Sequence, residues 1–239
     1  TEVLVNTLQQ YGEKALDKLR GMFGFAVWNE KEQTLMLARD FFGIKPVYYA
    51  EIDGHFVFAS EIKSILAFPG YERKVNQKAL EQYLSFQYSP LEETFFKGIY
   101  KLMPGHMLLY KNGSYEIKTY FKPKLTPGQW DHKTNMAQLR SQLSEILKDS
   151  VKHHMLSDVE VGAFLSGGVD SGYLASSSGA DQAFTVGFDE GDRYSEVNKA
   201  AKVAEKAGLK HHVKIISKQE FWDALPDVMY HMDEPLGDA

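Results

Sequence analysis

Val161-Gly-Ala-Phe-Leu-Ser166-Gly167-Gly168-Val169-Asp170-Ser171 is the stretch on which the reading of this chain turns. A short apolar run leads directly into a loop of small residues, and helical sequence follows. In an open parallel sheet such a junction lies at the carboxyl end of a strand, where ligands collect. The helix behind it turns its free N–H groups and positive dipole end toward the loop. An anion is the natural occupant. Gly167 and Gly168 carry no Cβ, so main-chain amides can approach phosphate oxygens closely, with the Ser166 and Ser171 hydroxyls on either side. The segment fits neither G-x-x-x-x-G-K-[ST] nor G-x-G-x-x-G, so it is another kind of phosphate loop. It has no lysine but does have an acid, Asp170. A carboxylate beside a phosphate is repelled unless a cation lies between them, and Mg²⁺ is the expected one. The plainer alternative is a tight strand-to-helix turn with Asp170 as a helix-terminal acid.

Working outward, strands and helices alternate after the loop and a helix precedes it. Residues 136–154, 172–177, 195–207 and 219–230 read as helices, and 161–165, 183–188 and 212–216 as strands. Strands separated by helices pair in parallel through right-handed crossovers, which gives a doubly wound parallel-sheet α/β domain. Upstream, residues 122–135 (KPKLTPGQWDHKTN) hold two prolines, a glycine and little periodicity, the signature of a linker. Residues 1–121 read mostly as strand: 22–28, 34–38 and 55–59 are short apolar runs, and Asn112-Gly113 supplies the left-handed pair of a two-residue hairpin turn within 109–120. Residues 4–19 and 76–86 carry helical spacing, the first aligning Leu4, Leu8, Tyr11, Ala15 and Leu19. The expected domains are therefore 1–121 and 136–239, joined by 122–135.

Composition removes whole classes. The chain has 239 residues, 44% hydrophobic and 25% charged, which excludes collagen-like, disordered and coiled-coil proteins. The formal charge is −5 and the basic residues form no run, so no nucleic-acid partner is expected. No stretch has the roughly 18 apolar residues of a membrane span and no signal peptide opens the chain, so neither a membrane partner nor export is expected and the reading is cytoplasmic. There is no cysteine, which excludes disulfides and any thiol nucleophile within these residues. The chain opens without Met and stops at Asp238-Ala239 in sequence that reads as structured, which is how an internal portion of something longer looks.

Ser166-Gly-Gly-Val-Asp-Ser171 resembles the S-G-G-x-D-S pyrophosphate loop of adenylating amidotransferases, and its surroundings resemble the glutamine-hydrolysing asparagine synthetase family. Gly21-Met-Phe-Gly-Phe-Ala-Val-Trp28, Ala38-Arg-Asp-Phe-Phe-Gly-Ile-Lys-Pro-Val-Tyr-Tyr49 and Phe58-Ala-Ser-Glu-Ile-Lys63 resemble the later part of that family's glutaminase domain. Tyr194-Ser-Glu196 and His231-Met-Asp-Glu-Pro-Leu-Gly-Asp238 resemble its synthetase domain. One departure is Gly172, where the family usually has a second serine.

The resemblance implies a partial N-terminal-nucleophile αββα sandwich before the α/β domain. It implies ATP and Mg²⁺ as cofactors, and aspartate and glutamine or ammonia as small-molecule partners, with a homodimer left open. The activity implied is the making of asparagine from aspartate through an acyl-adenylate. Carried over residue by residue, Ser166, Gly167, Gly168, Asp170 and Ser171 bind the pyrophosphate part of ATP, with Asp170 as catalytic magnesium contact. The main chain of Phe164, Leu165, Val186 and Gly187 lines adenine and ribose. Plain sheet core is the competing reading for Phe164, Leu165 and Val186, and a strand-end turn for Gly187. Glu234 is the candidate acid that steers or deprotonates ammonia, with Asp233 as its competitor and a helix stop at Pro235 as the plain alternative. Tyr194 and Glu196, after the second strand, are candidates to approach ribose or substrate, with a helix N-terminal acid the simpler reading of Glu196. His153-His154 and His211-His212 read as solvated or core residues rather than metal ligands, and Arg39, Asp40 and Lys45 as fold or interface residues. The family's nucleophilic cysteine and glutamine-binding residues have no counterpart here. Two other functions stay open: a relative acting on a sugar acid, a peptide carboxylate or a β-lactam precursor, and a non-catalytic regulatory relative.

Overall fold

In a computed structural model the described residues are 1–125, 135–189, 196–235 and 237. They form two compact units: Thr1–Leu125 together with Met229–Ala239, and Thr126–Val228. Most of the expected linker, the start of the helix expected at 195, and Tyr194 lie outside the described residues.

The first unit is built from two antiparallel sheets. One has the order β1 (Gly24–Asn29), β2 (Thr34–Arg39), β6 (His106–Lys111), β7 (Ser114–Thr119); the other has the order β4 (His55–Ala59), β3 (Tyr48–Ile52), β5 (Ile99–Lys101). Period-two alternation sends successive side chains to opposite faces, and the burial follows it. Leu37 and Leu108 of the first sheet pack with Val47, Tyr49 and Leu102, joined by Phe56 and Tyr100 of the second, to fill the space between the sheets. Their neighbours Ala38 and Met107 turn outward onto Leu16 of a 3₁₀ helix (Gly12–Lys18). Ala50, Ile52 and Ile99 turn outward on the other side onto Ile62 and Ile65 of α2 (Ile62–Leu66). Helix, sheet, sheet, helix is the αββα order that the resemblance implies.

The single long helix expected over 4–19 is divided in two. α1 (Glu2–Tyr11) is capped by Gly12, whose φ of +57° breaks the α-helix at the first residue of the 3₁₀ turn. α3 (Gln77–Phe86) starts as expected, with Asn76 Oδ1 accepting from the Lys78 amide at 3.2 Å. Asn112 and Gly113, at φ +52° and +78°, make the hairpin between β6 and β7, which leaves Lys111 facing Ser114. β3, α2 and β5 are short elements that periodicity did not single out.

The second unit holds α4 (Met136–His154), matching the expected bounds, then β8 (Gly162–Phe164), α5 (Val169–Ser178), β9 (Gln182–Phe188), α6 (Val197–Ala207), β10 (Lys210–Ile216) and α7 (Lys218–Met232) as far as Val228. The three strands are parallel in the order β10-β9-β8. Right-handed crossovers that step in one direction put both connecting helices on the same face. Leu165, Ala175, Ala183, Ala200 and Ala204 accordingly form one core beneath α5 and α6. Phe164, Phe184, Val186 and Phe188 alternate onto the other face and are exposed. Covering both faces of such a sheet requires the strand order to reverse, and among the described residues it runs one way only.

Candidate functional site

Leu165 is 1% exposed and closes the core under the sheet, while Phe164 is 88% exposed, so of the two only Leu165 is core. Val186 also lies on the open face, and Gly187 is buried on the helix-covered face. The main chain of these residues remains free to meet a ligand, but the core reading of the Phe164 and Val186 side chains does not hold.

From Leu165 the chain enters the loop. Gly167 has φ +78°, and a Cβ there would sit 2.8 Å from Lys199 Cβ and 3.2 Å from the Ala200 amide nitrogen. Both the left-handed backbone and this close approach to the first turn of α6 demand glycine. Gly168 is the N-cap of α5 and receives no side-chain cap. The two serines close the loop on itself: Ser166 Oγ and Ser171 Oγ are 2.9 Å apart, and the Ser166 amide donates to Ser171 Oγ at 3.3 Å. Helical bonding starts with the Gly172 amide on the Gly168 carbonyl at 3.0 Å. The amides of Val169, Asp170 and Ser171 thus stand at the open end of the helix.

Asp170 is exposed in the first turn of α5 and has no hydrogen-bond or ion-pair partner among the described residues. No group of three or more potential ligands is assembled among the described residues. Magnesium is commonly held by one or two carboxylates with phosphate oxygens and water completing the shell, and a single acid at the start of a helix behind a glycine loop is compatible with that ion. A groove of about 740 Å³, lined by Gly167, Gly168, Gly172, Tyr173, Val203 and Lys206, opens beside the loop.

The strand behind the loop holds a residue that sequence reasoning passed over. Thr185 is 5% exposed, its Oγ1 lies 2.6 Å from the Leu165 carbonyl oxygen, and His211 Nε2 lies 2.7 Å from the same hydroxyl. The visible signal was a lone hydroxyl inside the apolar run Gln182–Phe188. His212 stacks on Phe184 at 4.9 Å and meets Gln182 Oε1 at 2.9 Å, so both histidines are engaged within the sheet. His153 and His154 each reach back to a carbonyl one turn earlier in α4. Glu196, the N-cap of α6, makes no side-chain cap bond.

Glu234 falls in the first unit and the loop in the second. Glu234 Oε1 accepts from the Phe95 amide at 2.8 Å, and burial raises its pKa above the ordinary carboxyl value against the pull of that amide and of Lys101. Asp233 is more fully committed. Its Oδ2 accepts from the Ile62 amide at 2.7 Å and its Oδ1 pairs with Lys63 Nζ at 3.0 Å, with the carboxylate side chain 7% exposed. It serves as a remote cap on the start of α2.

Arg39 and Asp40 are fold residues, as read. Arg39 donates to the carbonyls of Gly43, Lys45 and Leu102. Asp40 accepts from the amides of Phe23, Phe42, Ile44 and Lys45. Burial alone would raise the Asp40 pKa, but the four amide donors bring it below the ordinary carboxylate value.

Against known families, residues 1–121 match a glutamine amidotransferase domain and residues 142–239 match asparagine synthase. Glutamine-hydrolysing asparagine synthetase 1 of Bacillus subtilis (strain 168) is 40% identical over 243 residues, covering 100% of this chain and 38% of that protein. A putative glutamine-hydrolysing asparagine synthetase of Mycobacterium tuberculosis (strain H37Rv) is 35% identical, covering 99% and 37%. A Penicillium rubens protein named amidase chyE is 30% identical, covering 99% and 38%. The chain therefore spans well under half the length of these curated relatives. A solved structure of the allosteric regulatory enzyme of purine biosynthesis aligns with a TM-score of 0.35 at 13% identity, over 90% of this chain and 53% of the other, too distant to bear on the argument.

Proposed function

We propose, from the premise that this chain belongs to the glutamine amidotransferase family and runs on into an asparagine synthase domain, that it is part of an ATP-dependent enzyme making asparagine from aspartate. The observation that carries the reading is the Ser166–Ser171 loop. It closes through its two serines, requires glycine at Gly167, and presents the open amides of α5 beside an uncommitted Asp170.

The chemistry follows from the substrate. A carboxylate is a poor electrophile, and joining it to AMP with loss of pyrophosphate supplies a leaving group that ammonia displaces. The loop amides and the Ser166 and Ser171 hydroxyls hold the pyrophosphate end of ATP while the carboxylate attacks the α-phosphorus, a task of positioning and charge stabilisation. Asp170 would hold Mg²⁺, which when bound spreads the charge of the phosphate oxygens. The main chain of Phe164, Leu165, Val186 and Gly187 would border adenine and ribose. Of the two acids near Pro235, Glu234 is the better candidate for handling the ammonia proton, because its raised pKa suits proton exchange while Asp233 is tied to Ile62 and Lys63. No cysteine occurs in these residues, so glutamine hydrolysis is assigned to none of them. No helix among the described residues is long and apolar enough to cross a membrane. We place the enzyme in the cytoplasm with small-molecule substrates.

A second reading, the same adenylation of a different carboxylate, is favoured by relatives named amidases at 30% and 28% identity. Pyrophosphate release by the full chain with MgATP and a panel of carboxylates separates the two. Aspartate should be preferred, and Asp170→Asn should lower release at least about a hundredfold, as losses of transition-state charge stabilisation do. Undiminished turnover in that variant would remove Asp170 from the mechanism, and preference for another acid would select the second reading.

A further inference from the structure

The loop leaves the sheet through a single peptide, the one joining Leu165 to Ser166, and both of its polar groups are held. The Leu165 amide makes the last regular ladder bond, to the Phe184 carbonyl at 2.9 Å. In a parallel ladder the Leu165 carbonyl would next accept from the Val186 amide. It accepts instead from the Thr185 side-chain hydroxyl at 2.6 Å. On the other side of the same planar peptide the Ser166 amide donates to Ser171 Oγ. The plane in which the chain departs from the sheet is thereby set by one side chain from β9 and one from α5.

Thr185 Oγ1 has one proton and two close neighbours. The Leu165 oxygen can only accept, so the proton goes there, and His211 Nε2, 2.7 Å away, has to donate. The register supports this arrangement: Ala183 pairs with His211 and Thr185 with Val213, so Thr185 and His211 are diagonal neighbours on one face of adjacent parallel strands. Thr185 is buried under the helices, where a hydroxyl without both partners would be costly.

We propose that Thr185 and His211 are positioning residues for the Ser166–Ser171 loop. A chain of hydrogen bonds, from His211 Nε2–H to Thr185 Oγ1–H to the Leu165 carbonyl, fixes the exit peptide and so the direction in which the loop amides point. In its neutral form His211 is the Nε2–H tautomer. The consequence for nucleotide binding rests on the function proposed above; the hydrogen-bond chain does not.

The full chain tests both parts. MgATP binding by calorimetry should weaken about tenfold in Thr185→Ala, the scale of one lost buried hydrogen bond, and recover in Thr185→Ser, which restores the hydroxyl. Amide hydrogen exchange at Ser166, Gly167 and Gly168 should speed up in Thr185→Ala and return to the wild-type rate in Thr185→Ser. Nitrogen-15 spectra of the wild type should show neutral His211 protonated at Nε2 and bare at Nδ1. Unchanged affinity and exchange in Thr185→Ala would overturn the proposal, as would the Nδ1–H tautomer. If the wild type binds no MgATP, the nucleotide function falls, and exchange with the tautomer still decides the positioning role. If Thr185→Ala does not fold, the wild-type tautomer decides it alone.

Discussion

At the scale of single residues, two carboxylates of the same type have opposite fates. Asp170 is exposed and has no partner among the described residues, whereas Asp40 is 1% exposed and surrounded by four amide donors. Asparagine at position 40 would keep one acceptor and turn an NH₂ toward amides that need one. Asp40→Asn is therefore expected to destabilise the first unit by about 2–3 kcal/mol in urea unfolding. The pH dependence follows from the lowered folded pKa. The stabilisation is present above the unfolded value of roughly pH 4 and is lost as the pH falls through the folded value, so the variant's acid limb should be flatter below about pH 4 than the wild type's. An acid limb identical to the wild type's would show that these amides do not stabilise the charge. The assignment of Asp40 to the fold was read from the sequence, but its reason was not: three of its donors, Phe42, Ile44 and Lys45, follow within five residues, and the fourth, Phe23, comes from across the chain. Gly167 was half legible, because a left-handed loop residue can be read from the motif but its contact with Lys199 and Ala200 cannot.

At the scale of elements, local chemistry was informative wherever it was complete. Asn112-Gly113 specified its hairpin, and α4 emerged from periodicity with Asn135 capping it through the Ala137 amide. Gly12 shows the opposite case, since apolar spacing continues through it while its positive φ ends the helix. α5 begins at Val169, earlier than periodicity suggested, because its first turn is composed of loop-like residues. That makes Gly172 an interior helical glycine. A Cβ there would meet Val203 Cγ1 at 3.7 Å, an ordinary contact, and its φ is not positive. Gly172→Ala is expected to stabilise the second unit by about 0.5–1 kcal/mol, read as a higher thermal midpoint. A lower midpoint would mean that the groove beside α5 tolerates no side chain at that position.

At the scale of the whole molecule, a ligand that binds only the folded state stabilises it by mass action. MgATP at a hundred times its dissociation constant should add about 2.7 kcal/mol to unfolding of the full chain, and Asp170→Asn should lose most of that gain. A wild-type midpoint indifferent to MgATP would remove the nucleotide site at a stroke. Residue order alone determined that strand runs come first and alternating strand and helix second, and that a glycine loop lies between β8 and α5, because turn chemistry, periodicity and the absence of Cβ atoms act within a few residues. Tertiary structure decided what side chains met across long separations: Asp233 on the start of α2, Glu234 on the Phe95 amide, Thr185 between Leu165 and His211. It also decided which face of the parallel sheet is covered, because the side on which α5 and α6 pack depends on the spatial order of the strands, and that order is a property of their pairing rather than of any one strand's composition.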